Sequence, residues 1–128
     1  MKKFENIIIG FGKGGKTLAG ALAKAGQTVA MVERSDKMYG GTCINVGCIP
    51  TKSLVYRAGL AAAKGGSFEE KAAAYKAAME QKEDLTARLR GKNYQKLDSN
   101  PNITVIDGTA GRRMSESIGL NLIEFPQA

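Results

Sequence analysis

The chain has no histidine and no tryptophan, and only two cysteines and three prolines in 128 residues. Each shortage removes a class of chemistry. Without histidine, the side chain most often used to move protons near neutral pH is missing. With two cysteines and no histidine, a four-ligand zinc site would have to be completed by carboxylates, which structural zinc sites rarely use. No metal is expected. No apolar run approaches the ~20 residues of a membrane-spanning helix. Behind Lys2 and Lys3 the only early apolar stretch is Ile7-Ile8-Ile9, too short for the core of a signal peptide. We expect a cytoplasmic chain with no membrane partner. In that compartment a pair of cysteines is more often catalytic or metal-binding than a structural cross-link. Aromatics are few, the basic residues are scattered and no nucleic-acid motif is present, so no nucleic-acid partner is expected.

What the chain does contain is an apolar fraction of 43%, enough for the core of one domain. Lys and Arg outnumber Asp and Glu by 19 to 12, a net charge of +7. That excess fits a basic surface, or attraction for a phosphate-bearing ligand.

Phe4 to Ile9 is a β-branched apolar run that predicts a buried parallel strand. Gly10-Phe11-Gly12-Lys13-Gly14-Gly15 follows at once. Lys16 to Ala25 then predicts a helix with Leu18, Ala21, Leu22 and Ala25 on its packed face, closed by Gly26. Thr28 to Val32 predicts a second strand, ending at Glu33. This is a βαβ unit with Gly-x-Gly-x-x-Gly at Gly10, Gly12 and Gly15. In such a unit the first glycine makes the turn out of the strand. The second admits a pyrophosphate to the backbone, and the third lets helix and strand pack closely. The helix N-terminus offers free N–H groups to phosphate, and an acid at the end of the second strand can bind ribose hydroxyls. Lys13 and Lys16 flank the turn, and at least one of them is expected to be a solvated surface lysine.

Further on, Leu54 to Lys64 predicts an Ala-rich helix, broken by Gly65-Gly66-Ser67. Ser67 suits the N-cap of the next helix, with Glu69 and Glu70 in its first turn. That helix is expected to run from Phe68 to Leu89, with Tyr75, Ala78, Met79, Leu85 and Leu89 as a buried stripe. Tyr94 to Asn102 reads as a polar connector and Ile103 to Ile106 as a third strand. From Gly111 the pattern weakens, although Leu120 to Phe125 suits a short strand. The fold class is therefore α/β: a three-stranded parallel sheet with an Ala-rich helical pair between strands 2 and 3. Residues 1–110 form the domain, and 111–128 a divergent or truncated tail.

Both cysteines, Cys43 and Cys48, lie in Gly41-Thr42-Cys43-Ile44-Asn45-Val46-Gly47-Cys48-Ile49-Pro50-Thr51-Lys52-Ser53. On a regular helix, cysteines five apart stand too far from each other for a relaxed disulfide. Gly47 and Pro50 point to an irregular helix start that brings them together. A thiolate at a helix N-terminus beside a lysine such as Lys52 is expected to have a lowered pKa. Two buried reduced cysteines are the alternative, since free cysteine is among the most buried residue types.

Gly40-Gly41-Thr42-Cys43-Ile44-Asn45-Val46-Gly47-Cys48-Ile49-Pro50-Thr51-Lys52 resembles the active-site signature of the class I pyridine nucleotide-disulfide oxidoreductases. Dihydrolipoyl dehydrogenase, glutathione reductase and mercuric reductase belong to that family. The first unit, Gly10 to Ala19, together with Met38-Tyr39, is most similar to the bacterial branch of reactive-chlorine resistance flavoproteins. The resemblance runs from about Phe4 to Ala110 and implies a partial Rossmann-like FAD-binding domain. It implies that Gly10, Gly12 and Gly15 hold the FAD pyrophosphate, that Glu33 binds the adenosine ribose, and that Gly41 and Thr42 line the pyrophosphate and flavin. Cys48 becomes the thiol beside the flavin and Cys43 the interchange thiol that meets substrate. Lys52 falls near flavin N5, and the backbone of Ala110 at the adenine. In the family, electrons pass from NAD(P)H through FAD to the disulfide and on to a disulfide or other small-molecule oxidant.

The chain holds neither a second Gly-x-Gly-x-x-Gly unit for NAD(P)H nor a later Ala-Thr-Gly strand. Nor does it have the family's catalytic His-Glu pair. Turnover by this chain alone is not expected. A small adenine-nucleotide-binding module, a thiol redox sensor, or a remnant without ligand that folds by self-association are the other readings. Without the later strand, Ile7-Ile8-Ile9 would form an unpaired apolar edge, so a homodimer or higher self-association is expected.

Overall fold

The structure, a computed structural model, describes residues 3–114 and 121–124. Its elements are β1 (Asn6–Ile9), α1 (Lys13–Lys24), β2 (Val29–Glu33), a 3-10 turn (Asp36–Met38), α2 (Thr42–Asn45), α3 (Cys48–Lys64) and α4 (Phe68–Asp98). β3 (Ile103–Asp107), β4 (Gly111–Met114) and β5 (Asn121–Glu124) follow. β1, β2 and β3 form a parallel sheet in that order, with Ile8 opposite Met31 and Met31 opposite Val105. The helical pair α3 and α4 lies between β2 and β3 in the chain, as expected. The fold is a partial Rossmann-like α/β domain.

β2 is central, and Val29 to Val32 are all buried. β1 is, like β3, an edge strand of this sheet, and was expected to be a buried strand. Its residues instead alternate, with Ile8 packed on the core and Ile7 and Ile9 exposed, Ile9 by 66%. A buried parallel strand needs cover on both faces, and β1 has it on one. The main core joins Phe11, Ala19, Ala23, Val29, Met31, Tyr39, Leu97 and Ile103.

Helix α1 begins at Lys13 rather than Lys16 and buries Ala19 and Ala23. The expected face is thus turned: Leu18 is exposed, and Leu22 is half-buried against the core. Close approach to the sheet selects the small side chains. Gly15 shows why, because a Cβ there would stand 2.8 Å from the Gly10 carbonyl oxygen and 3.0 Å from Ile8 Cγ2.

Helix α4 starts in a capping box, in which the Glu70 N–H donates to Ser67 Oγ while the Ser67 N–H donates to Glu70 Oε2. It continues past Leu89 to Asp98, so most of the expected polar connector is helix. The extra turns put Tyr94 and Leu97 against the core. In the expected stripe Ala78 is buried, whereas Met79, Leu85 and Leu89 are half-buried and Tyr75 is 66% exposed. A groove of about 560 Å³ remains between α3 and α4, and Tyr75 lines it together with Ala58, Ala61 and Ala62 but also Leu54, Val55 and Arg57 of α3.

Gly111 to Met114, expected to lack regular structure, pairs with β5 as an antiparallel ladder with Gly111 opposite Glu124. The strand expected over 120–125 is observed at Asn121–Glu124; its two end positions lie outside the described residues. No helix among the described residues is long and apolar enough to cross a membrane.

Candidate functional site

The glycine turn leaves β1 at Gly10, whose N–H donates to the Val32 carbonyl at 2.7 Å and whose φ is +95°. Gly12 is the N-cap of α1, and no side chain caps that helix. Glu33, at the end of β2, reaches back to the turn. Its Oε2 accepts from the Phe11 N–H at 2.9 Å, and its Oε1 from the Ser35 N–H at 3.2 Å. The carboxylate is thereby fixed in direction, with acceptor capacity left over. Gly10, Glu33 and Ala110 line one cleft of about 400 Å³, together with Arg34, Met38 and Thr109.

The second part of the site follows the 3-10 turn. Gly41 precedes α2 with φ +75° and ψ −170°, a conformation essentially restricted to glycine. A Cβ on it would fall 2.6 Å from Gly12 Cα. The loop that leads into the cysteines and the turn that follows β1 are therefore in backbone contact.

α2 ends at Asn45, α3 begins at Cys48, and the joint between them bends at Gly47 (φ −110°, ψ −94°). The N–H groups of Val46 and Gly47 both donate to the Thr42 carbonyl. The irregular joint thus falls between the two cysteines. Both are free thiols, Cys43 half-buried and Cys48 exposed, so burial as inert core residues does not describe them. The Cys43 thiol lies above its ordinary range. The main cause is a hydrogen bond with the Cys48 side chain, followed by desolvation, while the charges of Lys13 and Lys52 pull the other way. The expected lowering by a neighbouring lysine is thus outweighed at Cys43 by its partner thiol. Lys52 lies one turn beyond Cys48 on α3, and Thr42, the first residue of α2, is exposed.

Further contacts surround the site, among them those of Asp107 and Asn93, which were not singled out from the sequence. Tyr39 donates its hydroxyl to Asp107 Oδ1, and its ring meets Phe11 edge-on at 5.1 Å and Tyr94 at 4.8 Å. Burial, then the bond to Asp107, raises the Tyr39 pKa. Lys16, half-buried, donates to Asn93 Oδ1, and desolvation lowers its pKa. Lys13 is exposed. Continuing the helical spacing of Leu85 and Leu89 through Asn93, Tyr94 and Leu97 would have found the α4 contributions.

The chain matches the pyridine nucleotide-disulphide oxidoreductase family over residues 4–115. It belongs to that family. It is 49% identical over 110 residues to the probable pyridine nucleotide-disulfide oxidoreductase RclA of Escherichia coli, covering 86% of this chain and 22% of that protein. To the mercuric reductase of Streptomyces lividans it is 36% identical over 114 residues, covering 84% of this chain and 24% of the relative. The solved structure of the HOCl-induced flavoprotein disulfide reductase RclA from Escherichia coli superposes with a TM-score of 0.73 at 42% identity. The match covers 94% of this chain and 26% of that one. A Cu(II) complex of the same relative superposes with a TM-score of 0.71 at 49% identity, over 83% of this chain and 22% of that one. The chain thus spans about a quarter of the length of these relatives.

Proposed function

We propose that this chain carries the pyrophosphate and adenosine seat of FAD together with the redox couple that exchanges electrons with it, Cys43 and Cys48. The observation that carries this reading is the backbone contact between Gly12 and Gly41. It makes one continuous surface of the glycine turn and the cysteine loop. The residues fit the cofactor. Gly12 has open space where a side chain would stand, α1 has an uncapped N-terminus, and Glu33 retains acceptor capacity toward ribose hydroxyls. When bound, FAD supplies two-electron transfer between a nicotinamide and a disulfide.

Each residue then has a task. Gly10, Gly12 and Gly15 shape the phosphate turn, and the helix end donates N–H groups to the phosphates. Glu33 takes the adenosine ribose, and the backbone at Ala110 closes the adenine end of the cleft. Gly41 and Thr42 line the pyrophosphate and flavin side. Cys48 would be the thiol facing the flavin, and Lys52, one turn on, would lie on the flavin's N5 side. Cys43 exchanges with the substrate, a disulfide or another small-molecule oxidant. The NAD(P)H site and the family's proton-transfer histidine are not among these residues, so this chain alone is inactive in NAD(P)H turnover. A cytoplasmic setting keeps both thiols available for cycling.

The cleft at Gly10, Glu33 and Ala110 favours a second reading, an adenine-nucleotide-binding module with thiols that sense redox state. One experiment separates the two: incubation of the purified chain with FAD or with ADP, desalting, and an absorbance spectrum with thiol titration. Retained flavin absorbance, and two thiols lost on oxidation and regained on reduction, support the FAD reading. Retention of ADP without FAD overturns it in favour of the second.

A further inference from the structure

The last turns of α4 present Arg90, Asn93, Tyr94 and Leu97 on one face, at spacings of three and four. Leu97 and Tyr94 belong to the core, and Asn93 takes the Lys16 amine. Arg90 reaches a different target. Its Nη1 donates to Asn45 Oδ1 at 3.2 Å. Asn45 lies between the two cysteines, and its Nδ2 donates in turn to the carbonyls of Tyr39, at 3.1 Å, and Gly41, at 2.9 Å. One amide therefore ties the guanidinium of α4 to the loop that touches Gly12. A planar guanidinium holds its acceptor in a fixed direction, which an ammonium does not. Without Arg90, Asn45 Oδ1 loses that partner. The joint between α2 and α3 is then held by backbone bonds to Thr42 and by the two Asn45 Nδ2 bonds, with nothing from α4 fixing the amide's oxygen end.

We propose that Arg90 is a positioning residue for the cysteine pair: by holding Asn45 it fixes the joint between α2 and α3, and with it the placement from which Cys43 and Cys48 close into a disulfide. This rests on the reading of the pair as a redox couple. Closure forms one S–S bond and releases two protons and two electrons. In exchange with oxidised dithiothreitol, that reagent's S–S bond opens and takes them up. The exchange constant measures the effective concentration of one thiol at the other, a quantity governed by placement.

The test is this exchange equilibrium on the full chain, for the wild type, Arg90→Met, Arg90→Lys and Ala78→Gly, with far-UV circular dichroism at each redox ratio. Ala78→Gly weakens α4 away from the joint and is expected to leave the constant unchanged. Arg90→Met is expected to lower it about tenfold. Arg90→Lys, which keeps the charge without the fork, is expected to recover part of the loss. A constant indifferent to Arg90→Met overturns the proposal. So does full recovery with lysine, which would assign the effect to charge, and so does a fall of the same size in Ala78→Gly. Should Arg90→Met not fold, Arg90→Lys decides alone: a lowered constant supports the proposal and an unchanged one overturns it. A wild type that forms no intramolecular disulfide removes the redox reading itself. A wild-type disulfide insensitive to Arg90 removes only this inference.

Discussion

Gly12 and Gly41 meet in one contact, yet alanine should act differently at the two positions. At Gly41, φ +75° and ψ −170° put an alanine in a region open essentially to glycine alone, at about 1–3 kcal/mol. Its Cβ would also press to 2.6 Å from Gly12 Cα, a backbone atom that cannot swing aside. Such overpacking costs about another 1–3 kcal/mol, so Gly41→Ala should lose about 2–6 kcal/mol in all. With an m value of about 1.5 kcal/mol/M, the urea midpoint followed by circular dichroism falls by about 1–4 M. At Gly12 the backbone (φ −73°, ψ 173°) suits any residue, and a Cβ meets nothing within 4 Å. As an N-cap change, Gly12→Ala costs about 1 kcal/mol or less. Its methyl group would instead stand where a pyrophosphate approaches, and FAD affinity read by flavin absorbance falls at least about tenfold. Equal urea midpoints for the two variants would refute the steric argument. A Gly12→Ala chain that binds FAD as the wild type does would refute the role given to this turn.

Three other expectations follow from the same contacts. Cys48→Ala removes the main cause that raises the Cys43 pKa. The pH midpoint of Cys43 alkylation should then move down, since less pH is needed to form the thiolate, and an unmoved midpoint counts against the thiol–thiol hydrogen bond. Ile9→Lys puts a charge on the exposed outer strand. If the strand mediates self-association, light scattering at micromolar concentration shows an assembly for the wild type and a single-chain mass for the variant. A wild type of single-chain mass refutes it. Tyr39→Phe removes the hydroxyl that binds Asp107 and should cost about 0.5–1.5 kcal/mol in urea unfolding, with the aromatic stack retained.

What the sequence by itself determined was local. The order of strand, glycines, helix, strand and acid follows from spacing along the chain, because each step depends on residues a few positions apart. The N-cap at Ser67 and the break between Cys43 and Cys48 were legible for the same reason. Tertiary structure decided what depends on distant partners. Helix α1 turned so that Ala19 and Ala23, not Leu18, meet the sheet, because Gly15 brings the helix too near for larger side chains. Helix α4 ran on to Asp98 because Tyr94 and Leu97 found the core, which repaid a polar stretch of weak local pattern. β1 was left half-covered because the helices shield one face. The Cys43 thiol shifted upward, against its lysines, because the fold places a second thiol beside it. The contact of Gly41 with Gly12 and the hold of Arg90 on Asn45 join segments that the sequence separates. Periodicity reports which face a residue takes; only packing selects which distant group it meets there.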